Sequence, residues 1–186
     1  IDKAKYHVPI IAAGGIYTGE DIEWIRRQGA DAVQLGTLFV TTFECDADIG
    51  FKQTYLDAEE DDLVVIKSPV GMPGRALRNK FLDDVADPKI RTSLPNCPVH
   101  CIKSCAQDKA PYCIFTALVN AQRGKFRYGF AFAGSNAWRA TEIISVHELM
   151  TRLKREHEEA EERWSLLMPR LAKTLDVRRQ VMSLDI

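Results

Sequence analysis

Two short apolar segments, each ended by a glycine turn, constrain the fold of this chain most strongly. Residues 8–13 read VPIIAA and residues 32–35 read AVQL. Gly14 and Gly15 end the first segment, and Gly36 ends the second. Short apolar runs without polar alternation are typical of parallel strands that are buried on both faces. The sequence therefore predicts two successive units in which a buried strand leads through a glycine turn into a helix.

A helix is predicted between the two strands, over residues 20–28. Thr18 or Asp21 is placed to cap its N-terminus, because short polar side chains accept hydrogen bonds from the first backbone N–H groups of a helix. Gly29 follows the last helical residue, at the position where glycine commonly ends a helix.

The two glycine turns have the composition of an anion-binding site. Paired glycines such as Gly14 and Gly15 let backbone N–H groups approach an anion without interference from a Cβ atom. Gly36 and Thr37 offer the same kind of donor one strand later, together with a hydroxyl, and a helix that follows adds the positive end of its dipole. Barrels of the (β/α)8 type bind phosphate at such a pair of strand ends. The alternative is that both are tight turns that bind nothing.

Residues 8–16 and 29–39 resemble the FMN-phosphate region of the nitronate monooxygenase (2-nitropropane dioxygenase) family. This family also contains flavin-dependent enoyl-acyl-carrier-protein reductases. Residues 73–82, 129–137 and 145–149 resemble later stretches of the same family, in the same order. The resemblance therefore covers most of the chain.

The resemblance implies an α/β fold: the C-terminal part of a (β/α)8 TIM barrel, made of its last strand–helix units, with a mainly α-helical C-terminal extension. It also implies an FMN cofactor whose phosphate is held by Gly14, Gly15, Gly36 and Thr37, with Gln34 nearby. The catalytic histidine of the family, where present, lies upstream of the residues that match, so no catalytic residue is assigned.

The chain has 186 residues, whereas a (β/α)8 barrel takes about 250 residues and eight strands. It opens where the family has its seventh strand. We therefore expect a fragment or part of a split protein, inactive alone, whose partner is the missing N-terminal barrel part; a homo-oligomer partner is the alternative. The predicted segments are residues 1–62, the last two βα units; 63–153, a loop and helix region with clustered cysteines; and 154–186, a charged and amphipathic helical tail.

Composition limits the partners that we expect. The net charge is −1 and no basic stripe with aromatic residues occurs, which argues against nucleic acid. No apolar run approaches the length of about 18 residues that a membrane span requires, and residues 1–5 lack the apolar region of a signal peptide. We therefore expect a cytoplasmic protein that binds a small-molecule substrate.

Residues 63–67 are β-branched and predict a strand. Two prolines and two glycines in residues 68–74 predict an irregular loop, and Arg75 and Arg78 are then expected one turn apart at the start of a helix. This loop could cover the flavin or direct an arginine at an anion. Alternatively, it is a surface loop whose arginines pair with the acidic region at 83–84.

Four of the five cysteines, Cys97, Cys101, Cys105 and Cys113, lie close together in the sequence. If residues 97–105 were helical, the first three would share one face, and Cys113 could join them. Clustered cysteines in a cytosolic protein more often serve metal or redox chemistry than structural disulfides. Three interpretations stay open: an iron–sulfur cluster beside the flavin, structural zinc, or thiols that are free or joined in disulfides. In the zinc interpretation, His100 is an optional ligand.

A helix is also predicted from residue 112 to Gly124, with Ile114, Phe115, Leu118 and Val119 on its apolar face. The family resemblance brings the following segment at Gly134, Ser135 and Asn136 near the flavin, where these residues could contact cofactor or substrate. The alternative is a turn with a helix cap at Ser135 or Asn136.

The C-terminal part predicts a charged helix over residues 150–164, supported by opposite charges four residues apart. His157 is expected to be an exposed residue of this helix. After Pro169, the tail is amphipathic and is expected to dock on the barrel or on a second subunit.

The family resemblance implies an FMN-dependent oxidoreductase of the nitronate monooxygenase type, which oxidises alkyl nitronates with O2. The first alternative is a flavin-dependent enoyl-acyl-carrier-protein reductase that uses NAD(P)H. The second is an incomplete fragment without activity of its own.

Overall fold

The structure is a computed structural model that describes residues 5, 8–87, 89–90, 97, 100–103, 105 and 110–182, and only the backbone of 169–182. In chain order, its elements are β1 (Ile11–Ala13), α1 (Gly19–Arg27), β2 (Ala32–Gln34), α2 (Thr37–Val40), α3 (Ile49–Leu56), β3 (Leu63–Lys67), β4 (Pro73–Leu77), α4 (Lys80–Ala86), α5 (Ile114–Gln122) and α6 (Val146–Met182), with short 3-10 helices at Glu60–Asp62, Phe126–Tyr128 and Ala137–Arg139.

The chain forms two compact units. The first unit combines Ile1–Gln34 with His147–Ile186, and the second is Leu35–Val146. The predicted segment boundaries at residues 62 and 153 are based on changes in sequence composition and pattern, and they stay a prediction.

The first unit contains a parallel strand–helix–strand motif. Strand β1 pairs with β2 in parallel, with Ile11 opposite Ala32 and Ala13 opposite Gln34. Both strands and the helix between them are therefore confirmed, although the strands are three residues long. Burial on both faces is wrong, because Ile11 is 62% exposed. The sheet has two strands among the described residues, so each strand has an open edge.

The predicted cap of α1 is confirmed at Thr18. Its hydroxyl accepts a hydrogen bond from the N–H of Asp21 at 3.1 Å, and the Asp21 carboxylate accepts one from the N–H of Thr18 at 2.9 Å. This reciprocal pair satisfies two N–H groups that would otherwise lack partners.

Helix α1 packs against α6 at a glycine. A Cβ atom at Gly19 would lie 2.3 Å from the backbone N of His157 and 2.3 Å from the backbone O of Leu153, so only glycine allows this approach. The N–H of Gly19 donates a hydrogen bond to the Glu156 carboxylate at 2.8 Å. Further along α1, Trp24 stacks on Trp164 with 6.3 Å between ring centroids.

Helix α6 is one continuous helix of 37 residues, about 55 Å long. The helical character predicted for residues 154–186 is confirmed as far as Met182, and the backbone stays helical through Pro169. Proline removes one hydrogen bond but leaves the bonds of the neighbouring turns in place.

A buried carboxylate links α1 to α6. The Glu23 side chain has no exposed surface, and its oxygens lie 2.9 Å from Arg26 Nε, 2.7 Å from Arg27 Nε and 3.2 Å from His157 Nε2. The Arg26 contact is a hydrogen bond, whereas Arg27 approaches as an ion pair without hydrogen-bond geometry. The expectation that His157 is exposed is wrong, because its side chain is 25% exposed and faces Glu23.

The second unit contains an antiparallel hairpin. Strand β3 pairs with β4 so that Leu63 lies opposite Leu77 and Lys67 opposite Pro73. Strand β3 is confirmed, but the helix expected at Arg75 is wrong. Residues 73–77 are extended because they complete the hairpin, and the next helix begins only after Asn79, whose side chain caps it.

The surface alternative for the arginines is confirmed at Arg78. Its Nε lies 3.1 Å from the Asp83 carboxylate, and both side chains are more than half exposed. Arg78 therefore forms a solvated ion pair with the acidic region, as that alternative expects.

Strand β4 lies between two hydrophobic clusters, and its adjacent residues Ala76 and Leu77 belong to different clusters. Successive strand residues point to opposite faces, so β4 is covered on both. The cluster around Leu77 contains Tyr55, Ala131, Ala133, Ala137 and Ala140, and the cluster around Ala76 contains Leu82, Tyr112, Ala117 and Phe130.

Helix α5 is confirmed, but its buried face differs from the predicted one. Ala117 and Ala121 are buried, whereas Phe115 is 45% exposed and Leu118 is 36% exposed. The chain at Gly129 approaches so closely that a Cβ atom there would lie 2.0 Å from the Ala117 carbonyl oxygen. The close approach of the two backbones therefore depends on the missing side chain at Gly129.

We predict that Glu23→Gln destabilises the protein in a pH-dependent way. Burial alone raises the pKa of Glu23, but Arg26 and Arg27 together hold it below its ordinary value. A carboxyl whose pKa is lowered by folding adds stability above its unfolded pKa, and this contribution disappears as the pH falls through the folded value. The cost of the substitution, about 1–3 kcal/mol near pH 7, should therefore shrink in acid.

Urea unfolding of Glu23→Gln and wild type at several pH values measures this cost. The control is Glu20→Gln, since Glu20 is exposed and lies 3.6 Å from Arg163; exposed pairs contribute about 0–1 kcal/mol. A cost for Glu23→Gln that matches this control, or that grows in acid, would contradict the prediction.

Candidate cofactor-binding site

The turn after β1 has an open backbone. Gly14 and Gly15 have φ values of +87° and +72°, which L side chains rarely adopt. Both are exposed, and no atom lies within 4 Å of the position that a Cβ atom of Gly14 would occupy. No side chain at Gly14 therefore stands between an anion and the backbone of this turn.

Gln34 lies at the same edge of the two-stranded sheet as this turn. It ends β2 opposite Ala13, the last residue of β1, and its side chain is exposed. The carboxyl ends of parallel strands are where barrels and open α/β sheets bind their ligands. The structure therefore places Gly14, Gly15 and Gln34 where a ligand can reach all three.

The second glycine turn belongs to the second unit. Gly36 is exposed, with no atom within 4 Å of a Cβ position, and it precedes the four-residue helix α2. Thr37 begins this helix and is half-buried. The backbone at Gly36 is therefore open in the same way as at Gly14.

Thr37 is fixed by a contact that the sequence does not reveal. The N–H of Gly134 donates a hydrogen bond to Thr37 Oγ1 at 3.0 Å, across 97 residues of sequence. A Cβ atom at Gly134 would lie 2.6 Å from the same oxygen. Because the hydroxyl accepts from Gly134, its own proton stays available to an acceptor such as a phosphate oxygen.

The other two residues of this segment, Ser135 and Asn136, lie where the turn alternative places them, but the predicted helix cap at Asn136 does not form. Asn136 precedes the 3-10 helix Ala137–Arg139, but its side chain makes no capping hydrogen bond to that helix. Ser135 is half-buried. A direct contact of Ser135 or Asn136 with a cofactor stays a prediction.

A buried lysine holds the backbone that follows α2. Lys52 is 7% exposed, and its ammonium group donates to the carbonyl of Thr42 at 2.7 Å. The role of Lys52 could not be predicted from the sequence, because no neighbouring residue distinguishes this lysine from an ordinary exposed one.

The two open turns fit a phosphate group. Each offers backbone without a Cβ atom in the way, and the second adds a hydroxyl that accepts one hydrogen bond from Gly134 and keeps its own proton to donate. Neutral hydrogen-bond donors of this kind bind phosphate in many nucleotide sites. Each turn, taken by itself, has the chemistry that the FMN phosphate requires.

The cysteines do not form the arrangement that the sequence suggested. The described residues of 97–105 are not helical, and His100 has a φ of +48° that interrupts any helix there. Cys97, Cys101, Cys105 and Cys113 all carry free thiols. No three His, Cys, Asp or Glu side chains come together as a metal site within the part of the chain that the structure describes. The iron–sulfur and zinc interpretations gain no support from this geometry.

Cys113 has the most distinctive environment of these thiols. Partial burial raises its pKa, but hydrogen bonds from Thr116 and from the N–H of Phe115 outweigh this effect and leave the pKa below its ordinary value. These donors belong to the first turn of α5, which Cys113 precedes. The lowered pKa follows from this position at the helix start.

Comparison with known proteins identifies the family. The sequence profile of the nitronate monooxygenase family matches residues 1–156, so the chain belongs to this family. Its members depend on FMN.

A probable nitronate monooxygenase from Staphylococcus saprophyticus subsp. saprophyticus is 33% identical over 99 residues, which are 50% of this chain and 28% of that protein. One from Staphylococcus aureus is 30% identical over 92 residues, 50% of this chain and 25% of that protein. The chain thus spans much less than half the length of the curated relatives that it matches.

Solved structures confirm the fold class. FabK from Thermotoga maritima superposes with a TM-score of 0.67 at 26% identity, over 85% of this chain and 47% of that chain. Nitroalkane oxidase from Streptomyces ansochromogenes superposes with a TM-score of 0.64 at 25% identity, over 87% of this chain and 43% of that chain. Both are of the TIM-barrel type, and the chain matches about half of each.

None of the helices in the described part of the chain combines the length and the apolar character needed to cross a membrane. Helix α6 is long enough, but charged residues occur throughout its first half.

We predict that Gly134→Ala destabilises the second unit through Thr37. The added methyl group would meet the Thr37 hydroxyl at 2.6 Å, and overpacking of this kind costs about 1–3 kcal/mol. In the double variant with Thr37→Ala the hydroxyl is gone, so most of this cost should be recovered. Urea unfolding of both single variants and the double variant measures the coupling. Strictly additive costs would show that the two residues do not meet.

Proposed function

We propose that this chain is the FMN-phosphate-binding part of an oxidoreductase of the nitronate monooxygenase type, which oxidises alkyl nitronates with O2. The observation that carries the proposal is the pair of open glycine turns, Gly14-Gly15 and Gly36-Thr37, in a member of an FMN-dependent family. The flavin, when bound, would supply the electron-transfer chemistry. The chain itself would bind and orient its phosphate.

The residues of the two turns would share this task. The N–H groups at Gly14, Gly15 and Gly36 would donate to phosphate oxygens, and the Thr37 hydroxyl would donate its proton to another. Gln34 would add a side-chain amide from the end of β2. Backbone donors of a preformed turn would need little reorganisation when an anion arrives.

Turnover would need residues that this stretch of sequence does not carry. The family resemblance implies that the catalytic histidine lies upstream of the matching stretches, and the chain spans 28% of a curated relative. We propose that the remaining barrel strands, in the same polypeptide or in a partner, complete the site. The open sheet edges support this, since Ile11 and Val8 are 62% and 47% exposed. A second copy of the chain is the alternative partner.

A second candidate function is an enoyl-acyl-carrier-protein reductase that uses NAD(P)H. The specific observation in its favour is the superposition on FabK from Thermotoga maritima, at a TM-score of 0.67 and 26% identity. The phosphate site would serve both functions equally, so the substrate alone separates them.

Steady-state assays of the complete protein distinguish the two candidates. Oxygen consumption with an alkyl nitronate, without NAD(P)H, supports the first function. Oxidation of NAD(P)H that depends on an enoyl thioester supports the second. If neither substrate is turned over by FMN-loaded protein, both functions are wrong.

We predict that Thr37→Val weakens the binding of FMN but not that of riboflavin. The valine keeps the shape of the side chain and removes one hydrogen bond to a charged group, which contributes about 1.5–3 kcal/mol. This corresponds to a roughly tenfold to hundredfold weaker affinity for FMN, while riboflavin has no phosphate to lose.

Flavin fluorescence titration measures both affinities. Thr141→Val is the matched control, because Thr141 is exposed and outside the two turns. Equal weakening of FMN and riboflavin, or no weakening in Thr37→Val, would place the phosphate elsewhere.

A further inference from the structure

A cavity of about 740 Å³ lies in the second unit, and no residue of either glycine turn lines it. Its walls come from α4, from the 3-10 helix Phe126–Tyr128 and from Pro111 ahead of α5. No predicted cofactor or cysteine residue lines it. Its volume falls within the range of small-molecule sites, about 300–1,000 Å³.

The wall of this cavity is mainly apolar. Its apolar side chains are Phe81, Val85, Ile90, Pro111, Phe126 and Tyr128. Ile90 is 48% exposed and Tyr128 is 55% exposed, so part of the wall stays in contact with solvent. An apolar ligand that covered these side chains would remove this surface from water.

Most polar groups of the wall are already paired. Lys80 Nζ contacts both carboxylate oxygens of Asp84, at 2.7 and 3.0 Å, so these two charges neutralise each other. The Asn79 side chain accepts from the N–H of Leu82 at 3.0 Å and donates to the carbonyl of Gly129 at 2.8 Å. Neither pair needs a ligand.

Arg127 is different. Its guanidinium lies 5.6 Å from the centroid of the Tyr128 ring, which holds it by a cation–π contact. No acidic side chain of the described residues forms an ion pair with it. The cavity therefore carries one cation that no wall residue neutralises.

We propose that this cavity binds a small amphipathic anion: an aliphatic or aromatic body with a single carboxylate or similar acidic group. The apolar body would fill the space between α4 and Phe126, and the acidic group would pair with Arg127. Guanidinium and carboxylate groups match in geometry, so this pairing gives direction as well as charge complementarity. The site is additional to the proposed FMN site and does not depend on it.

Octanoate and 1-octanol are suitable probes, because they share an apolar chain and differ in charge. We expect isothermal titration of the full chain to show saturable binding of one octanoate, with 1-octanol bound more weakly. In Arg127→Gln, the affinity for octanoate should fall roughly tenfold, since one charged hydrogen bond is lost. The affinity for 1-octanol should stay the same.

Two further variants make the test specific. Arg123→Gln removes a nearby exposed cation that does not line the cavity and should leave octanoate binding unchanged. Val85→Trp fills the cavity and should abolish binding of both probes. Circular dichroism checks that each variant is folded, and Val85→Phe, a smaller filling change with the same expected loss of binding, replaces Val85→Trp if that variant unfolds.

Three results would overturn the proposal: no saturable binding of octanoate to wild type, equal affinity for octanoate and 1-octanol, or the same loss in Arg123→Gln as in Arg127→Gln. Because neither probe contains a flavin or reacts with one, the outcome is independent of whether the chain binds FMN.

Discussion

Direct access of an anion to the backbone of two glycine turns is the constraint on which the proposed function of this protein depends. At Gly14 and Gly36 no atom occupies the space that a Cβ would need, so no side chain separates the backbone of these turns from an anion. At Gly134 the same lack of a side chain has the opposite use, because it lets the backbone reach Thr37 Oγ1. Glycine thus supplies the open backbone of each turn and, at Gly134, the contact that orients the Thr37 hydroxyl.

Local signals in the sequence predicted the elements well. The cap at Thr18, the glycine that follows α1 and the β-branched run of β3 each depend on neighbouring residues alone, and each was confirmed. The predictions that failed depend on distant residues. A helix was expected to start at Arg75, but residues 73–77 pair with β3 in a hairpin. His157 was expected to be exposed, but it lies against Glu23 of α1.

The residues of the candidate site could likewise be predicted where local sequence signals define them. Gly14, Gly15, Gly36 and Thr37 could be selected from their spacing and from the family resemblance, and the structure gives each an open or hydrogen-bonding environment. The role of Gly134 could not be derived with the same certainty, because it depends on a contact across 97 residues. The cysteine cluster shows the reverse case: closeness in sequence did not produce a shared helical face, since the backbone at His100 is not helical.

The most direct test of the central claim is the flavin content of the purified chain. The absorbance spectrum of the folded protein, with FMN quantified on the same sample and iron and zinc measured beside it, reports whether this stretch holds the cofactor by itself. We expect flavin absorbance bands that correspond to about one FMN per chain, and we expect unfolding to release this FMN intact. A folded chain without flavin, which also fails to take up added FMN, would contradict the claim that these two turns hold the phosphate.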